Sequence, residues 1–452
     1  MNSVANQSAV ETYPSQSELA VVVARILAEA SKQGASSAEA GVSFEAGLSV
    51  SVRMGEVETL EYHRDRGLGV TVYFGQRKGS ASTSDLGHEA IQATVRAACG
   101  IASYTSADDC AGLADPALMA AAIPDLDLCH PWDISAERAI EIATLCEAAA
   151  RNTDARITNS EGGSVSSHLG LRVYGNSHGF SGGYYSTRHS VSCAVIGAQD
   201  DAMQRDYWYT VARNAADLED AEAVGRRAAE RTLRRLGARR LSTRKAPVLF
   251  AAEIAGGLLG HFIGAIRGGS LYRKSSFLLD HLGKPVFPDF VRIHEQPHLK
   301  KALGSAPFDS EGVATQARDI VTGGILQGYV LDSYSARKLN MQTTGNAGGV
   351  HNLTIEPGPR DFAGLLQQMG TGLLVTETMG QGVNIVTSDY SRGAAGFWVE
   401  NGVIQYPVEE ITIAGNLRDM LRNIAAVGND VELRGNTRTG SLLIEEMMIA
   451  GE

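Results

Sequence analysis

The spacing of hydrophobic positions divides the first half of the chain into helical and alternating stretches. Residues 17–33 place leucine, isoleucine and valine at helical intervals, which predicts an amphipathic helix. Residues 38–83 instead alternate between apolar and polar positions and contain glycine-bearing turns, the pattern of antiparallel strands. Similar patterns predict a helix after Asp85, which is a candidate N-cap, and another helix that starts near Ser135. The prolines of segment 104–134 indicate a loop between these helices. Alternation returns over 156–212 and predicts strands with turns at TNSEGG and GNSHGF.

The second half begins where a charged helix ends. Segment 216–237 is predicted as a long helix that Gly237 stops, and Pro247 opens the next strand, so we predict a domain boundary near residue 240. An apolar helix over 253–266, a polar loop and several strands follow. A chain of 452 residues exceeds the usual size of one domain, which predicts two domains and leaves three as an open alternative. We therefore predict a disordered tail over 1–16, an N-terminal domain over 17–240 and a C-terminal domain over 241–452.

Composition narrows the class of protein. The chain is 44% hydrophobic and 20% charged, and its 50 glycines favour strand connections over a helical bundle. A net charge of −11 argues against a nucleic-acid-binding surface. The five cysteines show no C-x-x-C spacing, which predicts reduced thiols of a cytoplasmic protein, and none of them follows Cys193. The apolar run 246–266 is long enough to cross a membrane, but Glu253 and His261 within it favour a buried strand and helix.

One pentapeptide, HEQPH at residues 294–298, matches the zinc-binding pattern H-E-x-x-H. On a helix this spacing places two histidines one turn apart around the metal, with the glutamate as general base. Pro297 opposes that interpretation because it removes a backbone donor between the histidines and moves Gln296 out of the helical region. We therefore predict that a helix starts at Pro297 and that HEQPH is not a metal site.

Other polar clusters carry weaker signals. EIAGGLLGH, residues 253–261, offers one carboxylate and one histidine, too few donors for a tetrahedral metal site. GNAGGVHN, residues 345–352, is typical of a turn or of a backbone nest for an anion, but it matches no phosphate-binding fingerprint. The arginine-rich segment 234–245 is favoured as a solvated face. SLYRKSS at 270–276 and PFDSEG at 307–312 are polar loops with the composition of substrate or partner contacts.

Long blocks of the chain resemble the TldD/PmbA family, and specifically its PmbA (TldE) branch. The blocks are EIAGGLLGHFIGAIRGGSLYRKSSFLLDHLGK, PFDSEGVATQARDIVTGGILQGYVLDSYSARKLNMQTTGNAGGVHN, ITIAGNLRDMLRNIAAVGND and, in the first half, GLGVTVYFGQRKGSASTSDL. The likeness extends over about residues 20–445. It implies an α+β fold of two domains, each with mainly antiparallel, curved sheets and flanking helices.

The resemblance also implies where a metal site would lie. In the TldD branch the metal-binding helix reads H-E-x-x-x-H, and a later cysteine completes the site. On this chain that motif falls on residues 256–261, where Gly256 and Gly257 replace the first histidine and the glutamate, and His261 alone remains as a remnant. The third ligand is expected near TETMGQG, which carries Met379. The resemblance therefore implies no catalytic residue, no metal site and no cofactor in this chain, with zinc in a TldD-like partner.

The implied function is that of a PmbA/TldE-type subunit in a two-component cytoplasmic metalloprotease that acts on unfolded peptides and small proteins. The implied partners are a TldD-like subunit and an extended peptide bound by strand addition, with a homodimer as an open alternative and no membrane or nucleic acid. Candidate contacts to peptide or partner, all in glycine-rich polar loops, are Tyr272, Arg273, Lys274, Asp309, Ser310, Glu311, Asn346 and His351.

Two alternatives stay open. The family's older name, modulator of DNA gyrase, indicates a DNA- or gyrase-associated regulatory protein, and only the arginines of 234–245 support it against the net charge of −11. The other alternative is a self-sufficient metalloprotease that uses His261, His294, His298 or His351 in an unrecognised metal site.

Overall fold

Helices separate runs of consecutive strands along the chain. The computed structural model describes residues 13–451. The helices in that range are α1 (Gln16–Lys32), α2 (His88–Tyr104), α3 (Ala136–Arg151), α4 (Ala221–Arg234), α5 (Ala252–Ile266), α6 (Gly268–Tyr272), α7 (Ser333–Lys338), α8 (Phe362–Met369) and α9 (Leu417–Arg422). The strands are β1 (Ser37–Arg53), β2 (Glu56–Phe74), β3 (Arg77–Thr83), β4 (Ile157–Asn176), β5 (Ser181–Gln199), β6 (Ala202–Ala212), β7 (Arg244–Phe250), β8 (Ile293–Glu295), β9 (Arg318–Thr322), β10 (Ile325–Leu326), β11 (Leu353–Ile355), β12 (Gly372–Met379), β13 (Val383–Asn384), β14 (Asp389–Glu400), β15 (Val403–Asn416), β16 (Ile424–Val427), β17 (Thr437–Arg438) and β18 (Leu442–Ala450).

Capping residues set the starts of the first helices. The Ser15 hydroxyl accepts a hydrogen bond from the Glu18 N–H while the Glu18 carboxylate accepts the Ser15 N–H, which forms a capping box at α1. Helix α3 starts next to Ser135, as predicted, and the Ser135 side chain caps it. The cap predicted at Asp85 was wrong, because α2 begins after Gly87 and Asp85 instead accepts the Gly87 N–H at 2.8 Å.

The two similar turn signals have different outcomes. GNSHGF connects β4 to β5, and the Asn176 side chain accepts the His178 N–H at 3.1 Å. TNSEGG was wrongly predicted as a turn, since it lies inside β4. Its Gly162 adopts φ +112°, and at Gly163 a Cβ would lie 2.3 Å from the Ala143 carbonyl oxygen of α3. These glycines therefore accommodate an irregular strand and a closely packed helix.

The described residues form two compact units. The first contains Arg64–Leu113, Gly170–Tyr185 and the described part of Met1–Ala46; the second contains Gly47–His63, Ala114–Leu169 and the described part of Ser186–Glu452. Strands β1 to β6 form one sheet in the order β3-β2-β1-β4-β5-β6. The predicted tail falls mainly outside the described residues, and the boundary near 240 stays a prediction.

Helices cover the strands in each unit. In the first unit, α1, α2, β1 and β2 all carry buried apolar side chains: Leu19, Val23, Ile26, Ile91, Val95, Val42, Phe44, Val70 and Val72. In the second unit, α3 and α4 pack over a core that includes Leu48, Val50, Val52, Val191, Val195, Val224 and Trp208. Gly225 of α4 permits close contact with α3, because a Cβ there would lie 2.0 Å from the Cys146 carbonyl oxygen.

Two further sheets form the rest of the second unit. One has five strands in the order β10-β9-β8-β11-β17, and the other has the order β12-β7-β18-β15-β14-β13, with β16 paired to β18. Because β12 pairs with both β7 and β14, five of these strands form a closed ring. Most of the pairs are antiparallel, with parallel pairs at β7–β12 and β11–β17. The predicted α+β fold with mainly antiparallel, curved sheets is confirmed.

The HEQPH segment is not helical. The helix predicted to start at Pro297 was wrong: His294 and Glu295 lie on β8, and residues 297–304 form turns. A long-range hydrogen bond stabilises these turns: the Lys301 N–H donates to the Leu126 carbonyl at 3.0 Å.

The apolar run 246–266 is divided between β7 and α5. Within residues 13–451, no helix has the length and apolarity that crossing a membrane requires.

Candidate functional site

Helix α5 carries the segment on which the metal-binding motif of the family falls. Its buried residues, Ala255, Leu258, Leu259, Phe262, Ala265 and Ile266, pack into the core. Gly257 and Gly260 are exposed, and a Cβ built on either of them or on Gly264 meets nothing within 4 Å. The helix therefore presents an open face of bare backbone beside His261.

His261 lies half-buried between an aromatic ring and a cation. Its ring meets that of Tyr390 edge-on, with the centroids 6.0 Å apart. Burial lowers the pKa of His261, and the positive charge of Arg392 lowers it further. Burial also raises the pKa of Tyr390 to about 12. His261 is thus a neutral imidazole at neutral pH, next to a tyrosine that keeps its proton.

These surroundings do not fit a zinc ion. Zinc sites in proteins use three or four histidine, cysteine or carboxylate donors. Among residues 13–451, no group of three such side chains is placed to hold a metal ion. At α5, Gly256 and Gly257 offer no donor, and Arg392 adds a positive charge that opposes a bound cation.

Two of the predicted polar loops are joined by Asp309, which is buried. Its Oδ1 accepts the Glu311 N–H at 2.8 Å, and its Oδ2 accepts the Ala347 N–H at 2.9 Å. The Ser310 N–H returns a bond to the Ala347 carbonyl at 2.9 Å. The structure therefore brings Asp309, Ser310 and Glu311 together with the loop that contains Asn346.

Glu311 connects this loop to the start of α7. Its Oε2 accepts the Ser333 N–H at 3.0 Å. Burial raises the pKa of Glu311 to about 7, and the negative charges of Asp309 and Asp332 act in the same direction, against the bonds from Ser333. This carboxyl group is therefore partly protonated at neutral pH.

The predicted aromatic contact residue, Tyr272, reaches the same helix. Its ring meets that of Tyr334 on α7 edge-on, with the centroids 5.8 Å apart. Arg273 stacks on Tyr272 at 5.1 Å from the ring centroid and is exposed, as is Lys274, which adopts φ +57°. Two cations thus face solvent beside a tyrosine pair.

Glu295 organises the GNAGGVHN loop, a role that the sequence did not indicate. Only 2% of Glu295 is exposed, and its Oε1 accepts bonds from the Asn346 side-chain amide at 2.9 Å and from the His351 N–H at 2.8 Å. Its Oε2 accepts the Arg318 Nε–H at 2.8 Å, and Arg318 also donates to Asn346 at 2.9 Å. The glutamate of HEQPH is therefore committed to structural bonds.

The histidines near this loop face different partners. His294 Nε2 lies 2.9 Å from a Glu356 carboxylate oxygen, whereas His298 Nε2 lies 3.1 Å from the Thr315 hydroxyl. Burial lowers the pKa of His351, and its Nε2 is buried. These imidazoles do not converge on a common point with Glu295 as a zinc motif requires.

A cavity of about 610 Å³ lies at the N-terminal end of α5, and no sequence pattern predicted it, although Arg234 and Glu253 in its wall belong to segments 234–245 and 253–261. The Trp208 ring in its wall lies between the guanidinium groups of Arg227 and Arg434, at 3.6 and 3.9 Å from its centroid. Arg231 pairs with Asp206 and Glu253 in the same wall. The one signal in the sequence was the mixed charge of the α4 segment, which is also typical of any solvated helix.

The basic segment 234–245 is engaged within the protein. Arginines 234, 239 and 244 stack on aromatic rings, those of Phe397, Tyr406 and Trp398. The other basic side chains form ion pairs: Arg235 with Glu377, Arg240 with Glu410 and Lys245 with Glu446. These contacts occupy the groups on which the DNA-binding alternative depends.

Comparison with known sequences identifies the family of this chain. Three PmbA/TldA metallopeptidase domains match in order: domain 1 at residues 38–102, the central domain at 129–236 and the C-terminal domain at 243–451. Metalloprotease PmbA of Escherichia coli O157:H7 is 57% identical over 445 residues, which is 98% of each chain. This chain belongs to the PmbA/TldD family.

Solved structures share its fold. A suggested modulator of DNA gyrase from Bacteroides thetaiotaomicron superposes with a TM-score of 0.92 at 29% identity, over 97% of this chain and 100% of that one. TldE from Thermococcus kodakarensis, at 20% identity, superposes with a TM-score of 0.82 over 95% of this chain and 100% of that one, a likeness of fold. The predicted membership of the PmbA branch is confirmed.

Proposed function

We propose that this chain is the non-catalytic, PmbA/TldE-type subunit of a two-component cytoplasmic metalloprotease. A TldD-like subunit supplies the zinc ion and the general base. The supporting observation is the open face of α5, where Gly256 and Gly257 stand at the positions of a ligand and a base, and where His261 lies beside Arg392. Without a second and third donor, this helix cannot activate a water molecule for hydrolysis.

The chain's own contribution is to bind the partner and the extended substrate. Backbone hydrogen bonds to an extended peptide give affinity with little sequence preference, which suits unfolded peptides and small proteins. We assign the contact with such a chain to the exposed cations Arg273 and Lys274, beside the Tyr272–Tyr334 pair. Asp309, Glu311, Asn346 and His351 hold the neighbouring loops by the bonds described above.

Zinc content tests this proposal. The purified chain, dialysed without chelator, is expected to contain close to no zinc per chain, while the TldD-like subunit prepared in the same way retains it. A value near one zinc per chain, lost when His261 or the pair His294 and His298 is changed to alanine, would establish a self-sufficient metalloprotease instead.

A further inference from the structure

The hairpin made by β1 and the first part of β2 has a free outer edge in the second unit. In the sheet order, β3 is the outer neighbour of β2, but it pairs with β2 only from Leu68 to Phe74. Within residues 13–451, no strand pairs with the outer side of Glu56–His63. This segment, which we call the β2 edge, is about 27 Å long at 3.4 Å per residue. It leaves alternate N–H and C=O groups available to another strand.

Large apolar side chains are exposed along the β2 edge. The exposed fraction is 69% for Tyr62, 47% for Val57 and 45% for Leu60. Val57 and Leu60 are an odd number of residues apart, so apolar side chains stand on both faces of the strand. An exposed apolar edge with free backbone groups promotes aggregation unless another chain covers it.

The β2 edge is held in a fixed position. Met54 and Gly55 form the hairpin turn with φ of 54° and 83°, as a two-residue turn of the I′ type requires. Glu147 of α3, only 1% exposed, accepts both of their N–H groups, at 2.7 and 2.8 Å. The Ser51 and Thr59 hydroxyls join the two strands at 2.8 Å. A preformed edge loses little conformational entropy when a strand is added, which favours binding.

We propose that the β2 edge pairs with a β-strand of the TldD-like subunit. This inference rests on the proposed function, because it assigns a subunit contact of the two-component protease. The edge carries Glu56, Glu58 and Glu61, of which Glu58 forms an ion pair with Arg53 at 3.7 Å. The complementary strand therefore carries apolar side chains opposite Leu60 and Tyr62, and lysine or arginine opposite Glu56 and Glu61.

The charge of the β2 edge disfavours a second copy of this chain. Two identical edges would bring six glutamates to one seam, with repulsion between like charges. A substrate peptide is also a poorer occupant, because the edge is exposed on both faces and forms no part of the cavity at α5. Permanent coverage by a subunit removes the apolar exposure, whereas transient coverage by substrate does not.

The test measures binding of the separately purified TldD-like subunit to this chain. Leu60→Lys combined with Tyr62→Lys places charge in the seam and is expected to weaken the dissociation constant at least about tenfold, as loss of a central apolar contact does. The matched control, Tyr104→Lys combined with Val403→Lys, changes side chains that are 94% and 56% exposed elsewhere and should leave binding unchanged. Hydrogen exchange should show protection of the Glu56–His63 amides on binding.

Each outcome separates this inference from the proposed function. If the wild-type chains bind and together hydrolyse peptides, but the Leu60/Tyr62 variant binds equally well and the edge amides stay unprotected, the β2 edge assignment is wrong while the two-component protease stands. If the wild-type chain does not bind the subunit at all, both are wrong. If the variant instead converts a dimer of this chain to monomers and binds the subunit normally, a second copy occupies the edge, which also overturns the assignment. Melting curves of both variants confirm that they fold.

Discussion

Glu295 is a buried carboxylate that joins Arg318, Asn346 and the His351 N–H in one network. Changing it to glutamine leaves the Arg318 cation without its counter-charge in a buried setting. Breaking such a pair costs about 3–5 kcal/mol, so we expect the free energy of unfolding to fall by that amount. Denaturant unfolding measures the loss.

The control for Glu295→Gln is Glu446→Gln. Glu446 pairs with Lys245, and both side chains are more than half exposed, so removal of the charge should cost less than about 1 kcal/mol. Equal losses in the two variants would show that burial of the Glu295 pair does not stabilise the GNAGGVHN loop.

Glu311 gives the protein a pH-dependent stability. Its pKa in the folded state, about 7, lies above the unfolded value of about 4.3, so the folded protein binds one more proton between these two pH values. The contribution of Glu311 to the free energy of unfolding is fully present below about pH 4.3 and is lost as pH rises through 7. Because glutamine does not titrate, the free energy of unfolding of Glu311→Gln relative to wild type should rise by on the order of 3 kcal/mol from pH 4.5 to 8. Urea unfolding at several pH values tests this, and a difference that does not change with pH would refute it.

At the scale of elements, the glycines of two helices have opposite packing requirements. A Cβ at Gly257 of α5 meets nothing within 4 Å, so Gly257→Ala should raise the free energy of unfolding by about 0.5–1 kcal/mol through helix propensity. At Gly225 of α4 a Cβ would lie 2.0 Å from the Cys146 carbonyl oxygen, so Gly225→Ala should destabilise by about 1–3 kcal/mol. Thermal unfolding of the two variants measures both signs. A loss of stability in Gly257→Ala would mean that the face of α5 around Gly257 is covered and not open.

Local patterns determined most of the elements, and long-range contacts determined the exceptions. Ser135 and the periodicity of α1 act within a few residues, so the sequence reveals them. TNSEGG has the composition of a turn, yet its Gly163 is required by α3, which the chain brings next to it from another segment. Similarly, Pro297 excludes a zinc helix correctly, but β9 and β11, which pair with β8, make the segment a strand.

Some parts of the candidate site could likewise be predicted from local sequence, whereas others depend on long-range contacts. The polar loops at 309–312 and 345–351 could be selected by composition, and the structure joins them through Asp309 and Ala347. The contribution of Glu295 could not be predicted, since its partners Arg318 and His351 are 23 and 56 residues away in the chain. Likewise the cavity beside Trp208 is assembled from α4, α5 and strands that are distant in sequence.

At the scale of the whole molecule, the exposed cations Arg273 and Lys274 test the proposed peptide contact. In the mixture with the TldD-like subunit, changing both to alanine should raise KM for a peptide substrate several-fold with little change in kcat, because uniform binding is lost while the chemistry, under the proposed function, takes place on the partner. Both side chains are exposed, so stability should not change. Arg226→Ala, which removes an exposed arginine of α4, is the matched control. A fall in kcat with constant KM would contradict a peptide-binding role.

The central proposal is that the TldD-like subunit catalyses hydrolysis and this chain does not. Peptide hydrolysis tests it most directly. The rate is measured for this chain alone, for the TldD-like subunit alone and for the two together, each with and without a zinc chelator. We expect no hydrolysis by this chain alone and chelator-sensitive hydrolysis by the mixture, since α5 lacks the donors that hold zinc. Chelator-sensitive hydrolysis by this chain alone would contradict it.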